Sequence, residues 1–273
     1  MFEKVSPLFQ LFEKQYSEAQ ALLNSLGKSF RSKKALELEE KLIFINVYLH
    51  LLNKIHFNEE RLKFESFSGF RAICKSLKRI HHYKLAMAAF EEEKGKTIYA
   101  SYEAFLNTEK KGLYKDVYEL IISRPQDIWE PLYATAYDYS RKIIPLMLDT
   151  AAGQLINEEL EYIHVEGKDP LDVQTMRDIM EALQVITVVE NIKIAVGLNP
   201  VYTDDIHQEM KTLLRVLAKW NQNYLFAQHL NYFLSDNEQV GNKYLELAKR
   251  MRTKKKRLAF EVTSLCRNLL SKL

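Results

Sequence analysis

The sequence predicts an all-α protein, and three observations carry that prediction. Gly (8) and Pro (6) are scarce among 273 residues, while the good helix formers Leu, Ala, Lys and Glu dominate. Apolar residues recur at three- and four-residue steps over long runs. No segment alternates apolar and polar residues between turn signals, as a half-buried strand would. The length is enough for one large core or for two halves of ordinary domain size.

Taken in order, the helices are separated by short breaks in which Gly, Pro, Asn and Asp supply stops and caps. The first break is NSLGKSFRSKK (24–34). ALELEEKLIFINVYLHLLNKI (35–55) then repeats Leu and Ile at helical steps. FSGFRAICKSLKRIHHYK (67–84) combines cations with an apolar rhythm. Breaks follow at EEKGKT (92–97), NTEKKG (107–112) and SRPQD (123–127). VEGKDP (165–170) is the expected boundary between two halves, 1–166 and 167–273, with Asp169-Pro170 starting the next helix. The β-branched run VITVV sits inside the longer helical period of 172–198, so it reads as helix. GLNPVYTDD (197–205) and SDNEQVG (235–241) are the last breaks, and Thr203-Asp204 caps the helix after the first of them.

The net charge is only +3 with 27% charged residues, so no global basic field attracts a polyanion and any such binding must come from local clusters. Cys74 and Cys266 form no CxxC pair and no metal spacing, which predicts buried thiols in a reducing compartment. The N-terminus MFEKVSPLFQ lacks the apolar run of a signal peptide, and no run reaches membrane-spanning length, so the expected location is cytoplasmic.

The segment 67–84 is the clearest such cluster. Set as a helix with Ser68 at zero, Arg71, Lys75, Lys78 and His82 fall within an arc of about 80°, and Phe70, Ile73, Leu77 and Ile80 lie roughly opposite. That makes a cationic ladder rising ~5 Å per turn, a pitch at which successive side chains can follow a chain of phosphates. Solvated helix faces usually alternate sign, yet no Asp or Glu occurs from Ser66 to Phe90. Cys74 lies on the flank of this ladder. It is either activated by the cations or, as its angle favours, an inert buried thiol.

These residues resemble the CHAD family, the conserved histidine α-helical domains. The family carries on one helix a His, an Arg three on, and basic residues seven and ten on with a Leu between. Measured from Ser68, this chain has Arg71, Lys75, Leu77 and Lys78, with Ser68 at the histidine position. The family's following LGxLRD turn into a helix is similar to KKGLYKDVYEL, with Gly112, Leu113, Lys115 and Asp116 in matching order. A second copy is similar in DDIHQEMKTLLRVLAKW, where His207, Lys211 and Arg215 step along one face and Leu213, Val216 and Leu217 pack. There Met210, Leu214 and Leu217 stand at the basic positions. The resemblance runs from about Glu40 onward.

The resemblance implies two pseudo-repeated helical bundles packed around a basic groove that binds inorganic polyphosphate, or a similar polyanion, without chemistry. The implied contacts are Arg71, Lys75, Lys78, His82, Lys115, His207, Lys211 and Arg215, with His82 or His207 as a pH-dependent donor. No cofactor and no metal are implied.

AKRMRTKKKRL (248–258) adds seven cations and no acid. Arg250, Lys254 and Arg257 either extend the polyanion surface, form a separate nucleic-acid patch, or are solvated outside an apolar seam of Tyr244, Leu247, Met251, Leu258, Val262 and Leu265. No aromatic residue interleaves the run, which disfavours nucleic acid. Enzyme signatures are weak. Glu161 and His164 have the ExxH spacing of di-iron bundles, but Asp204 with His207 gives DxxH and not the required second motif. The sequence has no Gly-rich phosphate loop, HExxH or nucleophile elbow. Fifteen Tyr and fourteen Phe, crowded in LFAQHLNYFL and in IWEPLYATAYDY, fill the core or line a groove, with Tyr137 and Tyr139 beside Asp138 as candidates. A helical scaffold for a protein partner is therefore the alternative to polyanion binding.

Overall fold

Ser6 and Pro7 start the first helix. The Ser6 hydroxyl accepts the Phe9 amide at 3.2 Å, and Pro occupies a position whose amide has no helical partner. The computed structural model describes residues 6–57, 67–124, 126–163, 165, 167, 169–236 and 241–273. Among the described residues it is all-α, with no strand. The helices are α1 (Pro7–Lys28), α2 (Ser32–Ile55), α3 (Arg71–Lys94), α4 (Ala100–Ile122), α5 (Trp129–Ser140), α6 (Pro145–Glu161), α7 (Val173–Ala195), α8 (Asp204–Ser235) and α9 (Asn242–Leu270). No helix among the described residues is long and apolar enough to cross a membrane.

Most expected breaks fall between these helices, and VITVV is helical within α7. Thr203 caps α8 through the Ile206 amide. Three local expectations change. NTEKKG does not break the chain: α4 runs through it, because a lone Gly inside a helix costs only about 1 kcal/mol. Gly112, Leu113, Lys115 and Asp116 therefore lie within a helix and not at a turn into one. Ser68–Phe70 is a 3-10 turn, so α3 begins at Arg71 and Ser68 stands outside the regular helix. α7 starts after Asp169-Pro170, where the Asp172 carboxylate accepts the Thr175 amide at 2.8 Å.

The chain divides into two compact units, neither of them continuous in sequence. The first comprises Met1–Lys78, Lys115–Tyr162 and Glu181–Tyr202; the second comprises Arg79–Tyr114, Ile163–Met180 and Thr203–Leu273. This differs from two successive bundles meeting after residue 166, because the residues of α3, α4 and α7 are shared out between the units.

In the first unit α1 packs on α2 and α5, and α2 packs on α6. α2 is apolar on nearly all sides and is buried accordingly, with Leu38, Leu42, Ile45, Tyr48, Leu49 and Leu52 almost inaccessible. Phe12 meets Tyr48 at 4.9 Å, and the Tyr48 hydroxyl shares a 2.7 Å hydrogen bond with Ser140. Buried Lys193 of α7 pairs with Asp149 of α6 at 2.8 Å. Buried Glu190 accepts the amides of Val201 and Tyr202 and so pins the segment before α8.

The second unit is organised by the α8–α9 pair. Its core holds Phe90, Tyr99, Tyr102, Phe226, Phe233, Tyr244, Leu247 and Met251. Asn223 reaches across from α8 to the Met251 carbonyl at 3.1 Å. The expected α9 seam is present: Tyr244, Leu247, Met251, Leu258 and Val262 are buried, and Leu265 is partly so.

Candidate functional site

α3 amphipathicity comes out as its spacing requires. Phe70, Ile73, Leu77 and Ile80 are buried, while Arg71, Lys75 and Lys78 are exposed and His82 is half-buried. In the first unit, Lys78 lies 2.9 Å from Glu181 of α7, with side chains 56% and 60% exposed. The ladder is thus not free of acids: α7 supplies one that the local sequence lacks. Lys115 is exposed and lies 3.8 Å from Glu119, one turn on. Lys75 has no side-chain partner among the described residues. Cys74 is not activated by the cations. Burial first, then the Glu39 carboxylate, push its thiol up to about 12.

In the second unit the residues of the other motif sit on α8. Met210, Leu213, Val216 and Leu217 are buried, Lys211 and Arg215 are exposed, and His207 is half-buried. Lys211 and Arg215 have no side-chain partner among the described residues.

A further concentration of positive charge lies beside a cavity on α9. Glu246, Lys249, Arg250, Thr253, Lys254 and Arg257 line a groove of about 600 Å³. Their spacing puts all six within an arc of about 140° on one side of the helix, with Lys254 at the edge that borders the Leu247–Met251–Leu258 seam. Lys254 is held at 2.6 Å by Glu93, with Glu92 at 3.9 Å. Arg250 donates to the Glu93 main-chain carbonyl at 3.3 Å. The side chains of Lys249 and Arg257 have no partner among the described residues. Not every cation of the run joins the groove. Lys255 lies on the core flank with its ammonium 4.9 Å from the centre of the Tyr224 ring, over which Arg177 also lies at 5.0 Å.

Arg250, Lys254 and Arg257 were legible as a further basic surface. Lys249 and Thr253 were not singled out, although the three- and four-residue steps from Glu246 to Arg257 would have found them. The aromatic segments supply core residues, among them Trp129, Phe226 and Phe233, and half-buried rings at the rims. Tyr137 packs on Phe9 at 5.2 Å and Tyr139 on His56 at 5.0 Å, and both are half-buried.

Sequence reasoning also missed a part-buried polar chain that runs from His229 of LFAQHLNYFL to two residues of α4. His229 Nδ1 lies 3.0 Å from the Tyr102 hydroxyl, and its Nε2 bonds the Glu109 carboxylate. Burial, followed by the Glu109 charge, raises the Tyr102 phenol. A fully enclosed phenol that holds its proton this firmly tethers α4 to α8 and does not present a reactive group.

Of the ExxH pair, Glu161 is exposed, and His164 lies outside the described residues. Among the described residues no group of three or more His, Cys, Asp or Glu is placed to hold a metal ion. Comparison of the chain with models of protein families, with curated proteins and with solved structures finds no match in any of the three.

Proposed function

We propose that the chain binds inorganic polyphosphate, or a polyanion of similar charge spacing, without acting on it chemically. The observation that carries this reading is the α9 groove, where four cations and a hydroxyl share one wall with a single carboxylate. Arg250 and Arg257 offer planar forks suited to paired phosphate oxygens, and Lys249 adds a point charge, while Lys254 already shares its charge with Glu93 and contributes less. A wall on which cations outnumber carboxylates raises the local field above what an isolated exposed cation produces. The groove's described lining contains no aromatic side chain, so base stacking has no platform and polyphosphate is the better fit than nucleic acid.

The resemblance to the CHAD family belongs to the same proposal and implies the same class of ligand. It adds Arg71, Lys75, Lys78, His82, Lys115, His207, Lys211 and Arg215 as contacts. Exposed Lys75, Lys211 and Arg215 suit that role best. Lys78 and Lys115 already share their charge with Glu181 and Glu119, and contribute less. A non-catalytic reading agrees with the thiols: Cys74 is raised to about 12 and Cys266 to about 11, so both are protonated at neutral pH.

Titration with polyphosphate while following thermal unfolding tests the function. The midpoint is expected to rise with ligand, and the rise to shrink as salt is added. RNA or DNA at matched charge is expected to bind more weakly. No shift and no retention on immobilised polyphosphate would reject the reading. It would favour the second one, a helical scaffold for a protein partner, for which the exposed Ile144 (54%) and Leu146 (70%) at the start of α6 are the supporting observation.

A further inference from the structure

The cationic row on α9 has two ends. Glu246 stands one turn before Lys249 and Arg250, and Glu261 stands one turn after Arg257 on the same side of the helix. Both carboxylates are exposed, and neither has a side-chain partner among the described residues. The cations beyond them are committed elsewhere. Lys243 donates to the Ile98 carbonyl at 2.7 Å and lies near the rings of Tyr99 and Tyr244. Arg267 lies 3.5 Å from Asp169. A phosphate chain following α9 therefore meets unpaired carboxylates at both ends of the row, where like charge repels it.

We infer that Glu246 and Glu261 set the length of polyanion this groove takes, an inference that rests on polyanion binding in the α9 groove. From Lys249 to Arg257 the helix advances about 12 Å, and an extended phosphoanhydride chain advances about 3 Å per phosphorus, so the row holds about four or five phosphates. Further units of a longer chain pass the end carboxylates and add nothing to this site. The two glutamates thereby decide specificity: the groove distinguishes a short oligophosphate from pyrophosphate, but not a long polymer from a medium one.

The test compares pyrophosphate, tripolyphosphate and size-fractionated polyphosphates of about 10 and about 60 phosphates at one fixed salt concentration. The full chain is used with the exposed cations Lys75, Lys211 and Arg215 changed to Ala, so that the α9 row dominates the readout. Affinity per chain, corrected for the number of registers a long chain offers, should rise through the short probes. It should then differ by less than about twofold between the two longest. Glu261→Lys should raise affinity for those two about three- to tenfold and leave tripolyphosphate within about twofold, with Glu261→Gln between. Affinity that keeps climbing with length in the parent chain would overturn the inference while leaving polyanion binding intact. So would a Glu261→Lys effect that is absent or equal for every probe. Failure of every probe to bind would remove the proposed function and the length limit together.

Discussion

α3 and α9 each lay a row of cations over an apolar seam, and the two rows have different surroundings. On α3 the row is acid-free in sequence, yet Lys78 meets Glu181 in an exposed pair. On α9 the row lines a groove, and one of its lysines, Lys254, is paired with Glu93, whose side chain is only 19% exposed. The difference teaches that charge composition along one helix does not set the field a ligand meets. Neighbouring helices bring carboxylates to one cation and leave another unpaired.

The largest effects test the seams beneath the rows. Leu77→Ala on α3 and Leu247→Ala on α9 each remove a fully buried side chain, and each should cost about 2–5 kcal/mol in a denaturant titration. A loss below about 1 kcal/mol at either site would mean that its helix does not rest on that core.

Each helix also carries a thiol that the fold keeps protonated. Burial and Glu39 raise Cys74, while burial raises Cys266 against the opposing pull of Arg267. Raised values mean that the folded chain retains protons which the unfolded chain releases. Their stabilisation is complete below the ordinary thiol value of 9.0 and is lost as pH climbs towards about 11 for Cys266 and about 12 for Cys74. Cys266→Ala should lessen the fall in stability between those limits, by at most about 1.4 kcal/mol per pH unit. An unaltered pH profile would show that the thiol is not held protonated.

Smaller effects separate the rows as ligand sites. Arg71→Ala with Lys75→Ala should weaken polyphosphate binding several-fold at low salt. Lys78→Ala should change it by less than about twofold, because its exposed ion pair with Glu181 already occupies the charge. A larger loss from Lys78→Ala than from the double change would reverse the ranking within the α3 row.

Much of this was legible in the sequence, for a definite reason. Apolar steps fix which side of a helix is buried, so the inward residues of α3 and α9 could be named, and Thr203 could be recognised as a cap. What was not legible depends on long-range contacts. Glu181 lies 103 residues from Lys78, and Glu93 lies 161 from Lys254. The sharing of α3, α4 and α7 between two units likewise leaves no local mark. Gly112 misled because a single glycine signals a turn only when no longer helical period overrides it. His229 stood in an aromatic segment whose polar partners, Tyr102 and Glu109, come from α4.

The most direct test is the salt dependence of polyphosphate affinity for the parent chain and for Arg250→Ala with Arg257→Ala. Binding through the α9 groove predicts an affinity that falls with salt, is about tenfold or more weaker in the double variant at low salt, and has a log–log slope shallower by about one to two. Equal affinity and equal slope in the two proteins would contradict it.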